Sequence, residues 1–390
     1  MLDDFGQRIR DIILSEMDLS RELSDEEICD LIGSVVSREA RDRPMTIKDR
    51  AELERTIFNS LRKLDVLQEL VDDRDVTEIM VNGPNDIFYE KAGRIQRFKG
   101  HFSSEEKLED VIQQIVGRHN RVVNQASPIV DTRLSDGSRV NIVLNPISIG
   151  GSAVSIRKFP EHPMSMERLV EIEALSPEVA RLLQILTQAK YNIFISGGTG
   201  SGKTTFLNAL SQYIPDDERI ITIEDSAELQ LLGAKNIVRL ETRNANTDGV
   251  TPITIRDLIR TALRMRPDRI IVGECRGAEA LDMLQAMNTG HDGSLSTGHA
   301  NSPHDIISRI ETMVLQGQDF PLNAIRQQIA SGIDIIVQLG RLRDKSRRVL
   351  EISEVDGFMD GEIVLHTLYR FEETAVLDSG RIQGFLKKAG

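Results

Sequence analysis

The stretch YNIFISGGTGSGKTTFLNAL, residues 191–210, indicates the fold class most directly. It begins with an apolar run typical of a buried strand and ends with the periodicity of an amphipathic helix. Between them, residues 197–204 match the pattern G-x-x-x-x-G-K-[ST] at every fixed position. A strand, a glycine-rich turn and a helix in this order predict a phosphate-binding loop.

The residue types of this loop account for its chemistry. Glycines let the backbone curl, so that successive amide N–H groups and the helix N-terminus face the phosphates of a nucleotide. Lys203 supplies a positive charge for the β- and γ-phosphates, and the Thr204 hydroxyl can bind Mg²⁺. The predicted nucleotide-binding residues are Gly198, Thr199, Gly200, Ser201, Gly202, Lys203, Thr204 and Thr205.

Length and composition limit the class of protein. A chain of 390 residues is long for one core, so two or three domains are expected. The net charge of -13 disfavours sequence-independent binding to nucleic acid. Two cysteines, Cys29 and Cys275, cannot build a disulfide framework or a four-cysteine zinc site. The apolar runs are too short to span a membrane, and a cytoplasmic protein is expected.

The hydrophobic pattern changes three times along the chain. Residues 1–72 have helical periodicity and predict a small helical bundle, and residues 73–160 alternate short strands with one helix, as in a compact α+β module. Residues 161–168 are predicted to be a linker. Residues 169–390 alternate strands with helices, which is typical of a parallel sheet covered on both faces. The predicted fold class is therefore α/β.

Acidic residues follow the next predicted strand, in RIITIEDSAELQL (residues 219–231). Its carboxylates are Glu224, Asp225 and Glu228. Such a run is often only a solvated turn, but the end of this strand should face the same crevice as the phosphate-binding loop. We therefore expect one of these acids to hold the attacking water as a general base, with Glu228 or Glu224 as the candidates.

A third strand ends in Gly273 and Glu274, in DRIIVGECRG (residues 268–277). Glycine at this position allows close approach of another chain segment. The glutamate side chain is long enough to reach Mg²⁺ through a coordinated water, since Mg²⁺ dehydrates reluctantly. Asp268, at the start of the strand, is expected to be structural.

Two histidines flank a fourth short strand, in TGHDGSLSTGHANS (residues 289–302). His299 follows the strand that is expected beside the one bearing Glu274, where a neutral imidazole can sense or donate to the γ-phosphate. His291 is more simply explained by packing or surface exposure. Metal binding by the pair is disfavoured because no third ligand is evident.

Together the blocks GGTGSGKTT, TIEDSAE, RIIVGECR and STGHANS resemble those of the secretion and pilus-assembly ATPase superfamily. Two further segments, DTRLSDGSRVNIV (residues 131–143) and GGSAVSIRKF (residues 150–159), resemble the N-terminal module of one branch. That branch is the CpaF-type ATPase of Tad (Flp, type IVc) pilus systems, close kin to the hexameric ATPases of type IV secretion.

The resemblance implies a homohexameric ring of RecA-like domains, each with a smaller PAS-like N-terminal module, and ATP and Mg²⁺ as cofactors. Arginines on the smaller module, namely Arg133, Arg139 and Arg157, then become candidates to stabilise charge on the γ-phosphate. Arg260, Arg264 and Arg266 on a later helix are further candidates, and Arg256, Arg260 and Arg264 recur on one helix face. For each arginine, a solvated basic face paired with nearby acids is the alternative.

The resulting hypothesis is Mg²⁺-dependent ATP hydrolysis that powers pilus assembly, with PEHP (residues 160–163) as the hinge between the two domains. Inner-membrane platform proteins are the expected partners, and membrane contact is expected only through them. One alternative is a type IV secretion ATPase for protein or conjugative DNA transfer. Another is a RecA-like nucleic acid translocase, which the absence of Trp and the presence of only four Tyr disfavour.

Overall fold

The chain forms two compact units, residues 1–161 and 162–390. The computed structural model describes residues 4–17, 21, 23–41, 43, 45–91, 93–118, 122–159, 163–231, 233–243 and 251–389.

The first unit begins with a small helical bundle. Its three helices are α1 (Asp4–Glu16), α2 (Asp25–Glu39) and α3 (Ile47–Arg62). Capping boxes start α2 at Ser24 and α3 at Thr46, where each hydroxyl accepts a hydrogen bond from the backbone three residues on. The apolar stripes of the helices meet in one cluster, formed by Ile9, Ile13, Ile28, Ile32, Val35, Val36 and Ile57.

The α+β module follows. It contains α4 (Gln68–Asp72), β1 (Val76–Asn82), β2 (Ile87–Lys91), β3 (Arg94–Arg97), α5 (Glu105–Gly117), β4 (Ile129–Arg133), β5 (Arg139–Val143) and β6 (Ala153–Arg157). The six strands form an antiparallel sheet in the order β3-β2-β1-β6-β5-β4, and the apolar face of α5 shares their core. That core already includes Leu64, Leu67 and Leu70, so residues 64–72 pack with the module rather than with the bundle.

The second unit carries the remaining elements. They are α6 (Met166–Glu171), α7 (Pro177–Gln188), β7 (Ile193–Gly197), α8 (Lys203–Ser211), β8 (Arg219–Glu224), β9 (Asn236–Glu241), α9 (Ile255–Ala262), β10 (Arg269–Val272), α10 (Glu279–Met287), β11 (Leu295–Gly298), α11 (Pro303–Gly317), α12 (Leu322–Gly332), β12 (Ile335–Arg341), β13 (Arg347–Met359), β14 (Glu362–Val376) and β15 (Ile382–Lys388). Of the predicted hinge, Pro160, Glu161 and His162 lie outside the described residues.

A nine-stranded sheet organises this unit, in the order β15-β14-β13-β12-β7-β11-β10-β8-β9. The strands from β12 to β9 are parallel, and β7 is buried along its whole length. Side chains alternate between the faces of a strand, so Phe194 belongs to one core cluster while Ile193 and Ile195 belong to another. Helices α9 to α12 contribute to the first core, and α6 to α8 to the second.

The carboxyl-terminal third of the sheet differs from the predicted pattern. Strands β13, β14 and β15 follow one another as antiparallel hairpins without intervening helices. Helices separate most of the strands up to β12, and none separates the strands that follow it. No helix in the described ranges has both the length and the apolar character to cross a bilayer.

Asp344, in the turn between β12 and β13, ties that turn to β15. Its carboxylate accepts hydrogen bonds from the Ser346 backbone N–H at 2.9 Å and from the Ile382 backbone N–H at 2.8 Å. Burial alone would raise the pKa of Asp344, but these hydrogen bonds and the Arg348 charge outweigh it and lower the pKa to about 2. The ionised form is therefore the one that stabilises the turn.

We predict that Asp344→Asn lowers the free energy of unfolding at pH 7 by about 1 kcal/mol, the net value of such hydrogen bonds after allowance for solvent. Because the folded-state pKa lies below the unfolded one, the stabilisation is complete above pH ~3.8 and is lost as the pH falls through about 2. Urea unfolding at pH 7, 5 and 3 measures it. Asp378→Asn, at an exposed carboxylate in the β14–β15 turn, is the control. A difference from wild type that is the same at all three pH values contradicts the assignment.

Candidate nucleotide-binding site

The four sequence blocks lie at the carboxyl ends of four neighbouring parallel strands. Strand β7 leads into the phosphate-binding loop, β11 into His299, β10 into Glu274, and β8 ends at Glu224. These strands are adjacent in the order β7-β11-β10-β8. Because the carboxyl ends of parallel strands meet at one edge of a sheet, residues separated by about a hundred positions are brought to the same crevice.

The phosphate-binding loop has the backbone geometry of an anion cradle. Gly200 has φ +71° and Gly202 has φ +95°, which residues with a Cβ rarely adopt. A Cβ at Gly197 would lie 2.5 Å from Ser201 Oγ and 2.7 Å from the Leu339 carbonyl oxygen, so the loop is closely packed at its base. Among the described residues, no side chain caps α8 at Gly202. Its N-terminal N–H groups are therefore available to a bound anion.

Lys203 is held inside the loop. Its Nζ donates hydrogen bonds to the carbonyl oxygens of Gly197 and Gly198 at 3.1 and 3.2 Å, and it lies 3.2 Å from His299 Nδ1. Burial lowers the pKa of Lys203; Glu274 opposes this shift and Arg276 adds to it. A phosphate in the cradle would give this ammonium group the anionic partner that the carbonyl oxygens only partly replace.

His299 and Glu274 are in direct contact. His299 Nε2 lies 2.6 Å from Glu274 Oε1, and Arg276 Nη2 donates to Glu274 Oε2 at 2.5 Å. Burial lowers the pKa of His299, Glu274 raises it, and Lys203, Arg276 and Arg309 lower it further. A neutral imidazole with its proton on Nε2 suits both neighbours, since Nδ1 can then accept from Lys203. Arg276 is thus a partner of the Glu274 carboxylate.

Hydrogen bonds between β10 and β11 fix this pair. The Thr297 hydroxyl donates to the Gly273 carbonyl oxygen at 2.8 Å, and the Cys275 backbone N–H donates to the Thr297 carbonyl oxygen at 2.8 Å. His291, by contrast, has its Nδ1 3.2 Å from the Ala286 carbonyl oxygen near the end of α10. This contact agrees with its predicted packing role. Asp268 accepts from the Arg219 backbone N–H at 2.7 Å, which is also a structural contact.

The two candidate bases in the acidic block have different environments. Glu224 is 4% exposed, and its Oε1 accepts hydrogen bonds from the backbone N–H groups of Glu228 and Leu229 at 2.8 and 3.0 Å. Gly273 packs against it, since a Cβ there would lie 2.7 Å from Glu224 Cγ. Glu224 therefore shapes the turn, whereas the Glu228 side chain is only partly buried.

Gln338 is a buried polar residue beside the site that the sequence motifs do not indicate. It lies on β12, in register with Ser196 at the end of β7, and is 3% exposed. Its Nε2 donates to the carbonyl oxygen of Ala300, the residue after His299, at 3.2 Å. Its Oε1 has no hydrogen-bond partner within the described ranges. Gln338 thus links the strand of the phosphate-binding loop to the histidine block.

The residues of this site could bind Mg²⁺ only together with the phosphates of a nucleotide. In the part of the chain that the structure describes, no three His, Cys, Asp or Glu side chains are grouped so that they could hold a metal ion. Thr204 lies in the first turn of α8 and is partly exposed, and Glu274 is 19% exposed. A hydroxyl, a nearby carboxylate and phosphate oxygens supply the oxygen ligands that Mg²⁺ prefers.

The three predicted arginines of the α+β module lie in one row. Arg133 on β4 is directly opposite Arg139 on β5, which is directly opposite Arg157 on β6. The row continues to Glu78 on β1, whose Oε1 lies 3.9 Å from Arg157 Nε. Like charges directly opposite each other in a sheet are destabilising. The row therefore concentrates positive charge on one part of the sheet, with Glu78 at its end offsetting part of the repulsion.

The helix arginines have a different environment. Arg256 and Arg260 both bind the buried carboxylate of Asp282, at 2.7 and 2.9 Å. Arg264, which follows the end of α9, donates to the Arg260 carbonyl oxygen at 3.2 Å. These contacts favour the alternative in which this helix face pairs with acids rather than with a nucleotide.

Comparison with known proteins identifies relatives among the proteins of secretion systems. A profile of the family described as Type II/IV secretion system protein matches residues 60–376. Putative conjugal transfer protein Rv3659c of Mycobacterium tuberculosis is 33% identical over 322 residues, 80% of this chain and 91% of the relative. Type IV secretion system protein PtlH of Bordetella pertussis is 33% identical over 320 residues, 75% of this chain and 94% of the relative.

A solved structure supports the fold. The pilus retraction motor PilT, determined with bound ADP, superposes with a TM-score of 0.55 at 22% identity, over 79% of this chain and 82% of that one. The predicted RecA-like α/β fold and the predicted resemblance to secretion ATPases are both confirmed. The chain belongs to the type II/IV secretion system protein family of ATPases.

Proposed function

We propose that this chain hydrolyses Mg²⁺-bound ATP as a homohexamer in the cytoplasm and uses the free energy to drive a pilus or secretion machine at the inner membrane. The observation that carries the proposal is the chain of contacts from Lys203 to His299 to Glu274. These contacts join the phosphate-binding loop to the two strands that would sense and process the terminal phosphate.

Binding of a triphosphate requires Lys203 to change partners. Its Nζ gives up the carbonyl oxygens of Gly197 and Gly198 and its contact with His299 in favour of phosphate oxygens. His299 is then free to turn toward the γ-phosphate, and Glu274 loses one of the groups that hold it. The site therefore changes its internal hydrogen bonds when the terminal phosphate arrives and again when it leaves.

For the hydrolytic step we assign Glu228 as the residue that holds the attacking water. Glu224 is buried and its Oε1 already accepts two backbone hydrogen bonds from the following turn, whereas the Glu228 side chain is only partly buried. Glu274 would orient a water bound to Mg²⁺, and Thr204 would bind the ion directly. When bound, Mg²⁺ supplies charge neutralisation at the phosphate oxygens and alignment for in-line attack.

In our proposal, the site in the hexamer is completed by three arginines of the α+β module, Arg133, Arg139 and Arg157. Three guanidinium groups in register present a concentrated positive charge that suits the charge spread over the γ-phosphate oxygens. Loss of that phosphate removes their partner. Relaxation of the module about the hinge near residues 160–163 would then convert hydrolysis into motion.

The machine that receives this motion is, in our proposal, a Tad-type pilus assembly system, through inner-membrane platform proteins. Support comes from the resemblance of residues 131–143 and 150–159 to that branch and from the helical bundle. Nearly all of the bundle lies before residue 60, where the family match begins, and we assign it to docking. Membrane contact would be made only through these partners.

A type IV secretion ATPase is the second candidate, and the names of the two relatives favour it. Such an enzyme would move protein or conjugative DNA. The partner that raises ATP turnover distinguishes the candidates: a pilus platform protein supports the first, and a type IV secretion channel protein supports the second. Stimulation by single-stranded DNA alone would instead indicate a nucleic acid translocase. We do not expect this result, because we expect no direct binding of nucleic acid by this chain.

We predict that Lys203→Ala and Glu274→Gln each reduce ATP turnover by at least about 100-fold, because each removes charge that aligns the phosphates or the metal-bound water. Glu274→Gln should still bind ATP, since the cradle is intact. Phosphate release and binding of a fluorescent ATP analogue measure the two effects. Lys235→Ala, at an exposed lysine paired with Asp216, is the control and should retain activity. Wild-type ATP turnover in either site variant would refute the assignment of these residues to the site.

We predict that Arg133→Ala reduces turnover by at least about 100-fold, as expected for an arginine that stabilises transferred phosphate. ADP affinity and the unfolding temperature should change little. Arg94→Ala, on β3 at the other edge of the sheet, is the matched control.

Mixing tests whether this arginine acts between subunits. Arg133→Ala has an intact loop and Lys203→Ala has intact arginines, so mixed rings contain some complete interfaces and should regain activity. Failure to regain activity in rings shown to be mixed would argue against action between subunits.

A further inference from the structure

One arginine outside all four sequence blocks contacts the phosphate-binding loop. Arg347, the first residue of β13, donates a hydrogen bond from its Nε to the carbonyl oxygen of Gly200 at 2.9 Å. The next glycine of the loop is also close, since a Cβ at Gly202 would lie 3.5 Å from Arg347 Cδ. The side chain therefore lies along the tip of the loop, on the carbonyl side of its backbone.

Although the contact is made on the carbonyl side, its effect is on the N–H groups of the loop, which are the groups that face phosphate. The carbonyl of Gly200 and the N–H of Ser201 belong to the same peptide unit. A hydrogen bond from a charged guanidinium to the carbonyl polarises that unit, so its N–H becomes a stronger donor. The N–H groups of such a loop are the donors that bind phosphate oxygens. Arg347 can thus increase the affinity for a phosphate by acting through the backbone.

The rest of the guanidinium retains its charge for the site. Nη1 and Nη2 of Arg347 make no hydrogen bond or ion pair with the residues that the structure describes. Two neighbours on the same hairpin are neutralised, since Arg343 pairs with Glu373 and Arg348 pairs with Glu173. Arg347 is therefore a positive charge without an acidic partner in the described ranges, in contact with a loop built for anions.

The hairpin that carries Arg347 is well supported. Asp344 fixes the turn to β15, and the buried Arg348 donates to the carbonyl oxygens of Glu173 and Ile382 at 2.8 and 2.9 Å. A side chain mounted on a rigid support loses little freedom when a ligand binds. Arg347 is thus positioned before the nucleotide arrives.

We propose that Arg347 is a positioning residue of the nucleotide site, which fixes the loop at Gly200 and strengthens binding of the nucleotide's phosphates within its own subunit. This inference rests on the proposed function, because it requires that the loop bind a nucleotide. It differs from the role assigned to the arginines of the α+β module, because Arg347 belongs to the same compact unit as the loop.

The chain offers a matched control. Arg341 on β12 is the cross-strand partner of Arg347, is also exposed, and makes no hydrogen bond or ion pair with a described residue. Replacing either arginine with alanine removes one positive charge from nearly the same place. Only Arg347→Ala also removes the bond to Gly200.

The experiment measures binding of Mg²⁺-ADP and of Mg²⁺-inorganic phosphate to the full-length protein by titration calorimetry. We expect Arg347→Ala to raise the Kd for ADP about tenfold, the effect of one charge-assisted hydrogen bond. Arg341→Ala should change it less than about twofold, since a diffuse exposed charge contributes little. The unfolding temperature without nucleotide should match wild type in both variants.

Each other outcome also decides. Equal weakening by the two alanine variants would show only diffuse charge and would overturn the inference. If Arg347→Ala lowers the unfolding temperature, Arg347→Lys with a wild-type unfolding temperature becomes the test. An ADP affinity closer to wild type than that of the alanine variant supports a role of the charge. An ADP affinity as weak as that of the alanine variant overturns the inference. If wild type fails to bind ADP while Arg347→Ala behaves identically, the proposed function fails first.

Discussion

The structure depends on one contact, between the Lys203 ammonium group and the His299 imidazole, with Glu274 on the other side of the ring. This contact joins three segments that are far apart in sequence and adjacent only because β7, β11 and β10 are neighbouring parallel strands. A lysine, a histidine and a glutamate in a row balance their charges in the partly buried crevice. They also form a set of partners that a phosphate group can displace.

The distribution of positive charge is a second feature of the residues around this contact. The chain is acidic overall, yet positive groups converge on two places, the phosphate-binding loop with Lys203 and Arg347 and the arginine row of the α+β module. Like charges repel in such a concentration, and neighbouring acids such as Glu78 beside Arg157 offset part of the repulsion. The family to which the chain belongs consists of ATPases, and in our proposal the ligand of these positive groups is the triphosphate of ATP.

Much of this site could be predicted from the sequence because its signals are local. A complete phosphate-binding pattern between a strand and a helix, and strands that end in Glu274 and His299, require only that the strands be parallel. The choice between Glu224 and Glu228 could not be made, because it depends on which carboxylate accepts the backbone N–H groups of the following turn. The pairing of Arg256 and Arg260 with Asp282 is likewise a tertiary contact.

Arg347 and Gln338 carry no local signal at all. Arg347 reaches Gly200 across 147 positions through a hairpin that breaks the alternation of strand and helix, and Gln338 reads as part of an apolar strand. The sequence likewise does not show that residues 64–72 pack with the α+β module, since helical periodicity does not reveal which core a helix joins.

The most direct measurement is a crystal structure of the protein with Mg²⁺ and a non-hydrolysable ATP analogue. We expect the analogue's phosphates to lie in the loop of residues 197–205 and Lys203 Nζ to have left His299 and the loop carbonyl oxygens for phosphate oxygens. An analogue bound elsewhere, or one bound in the loop with the contact between Lys203 and His299 unchanged, would contradict this expectation.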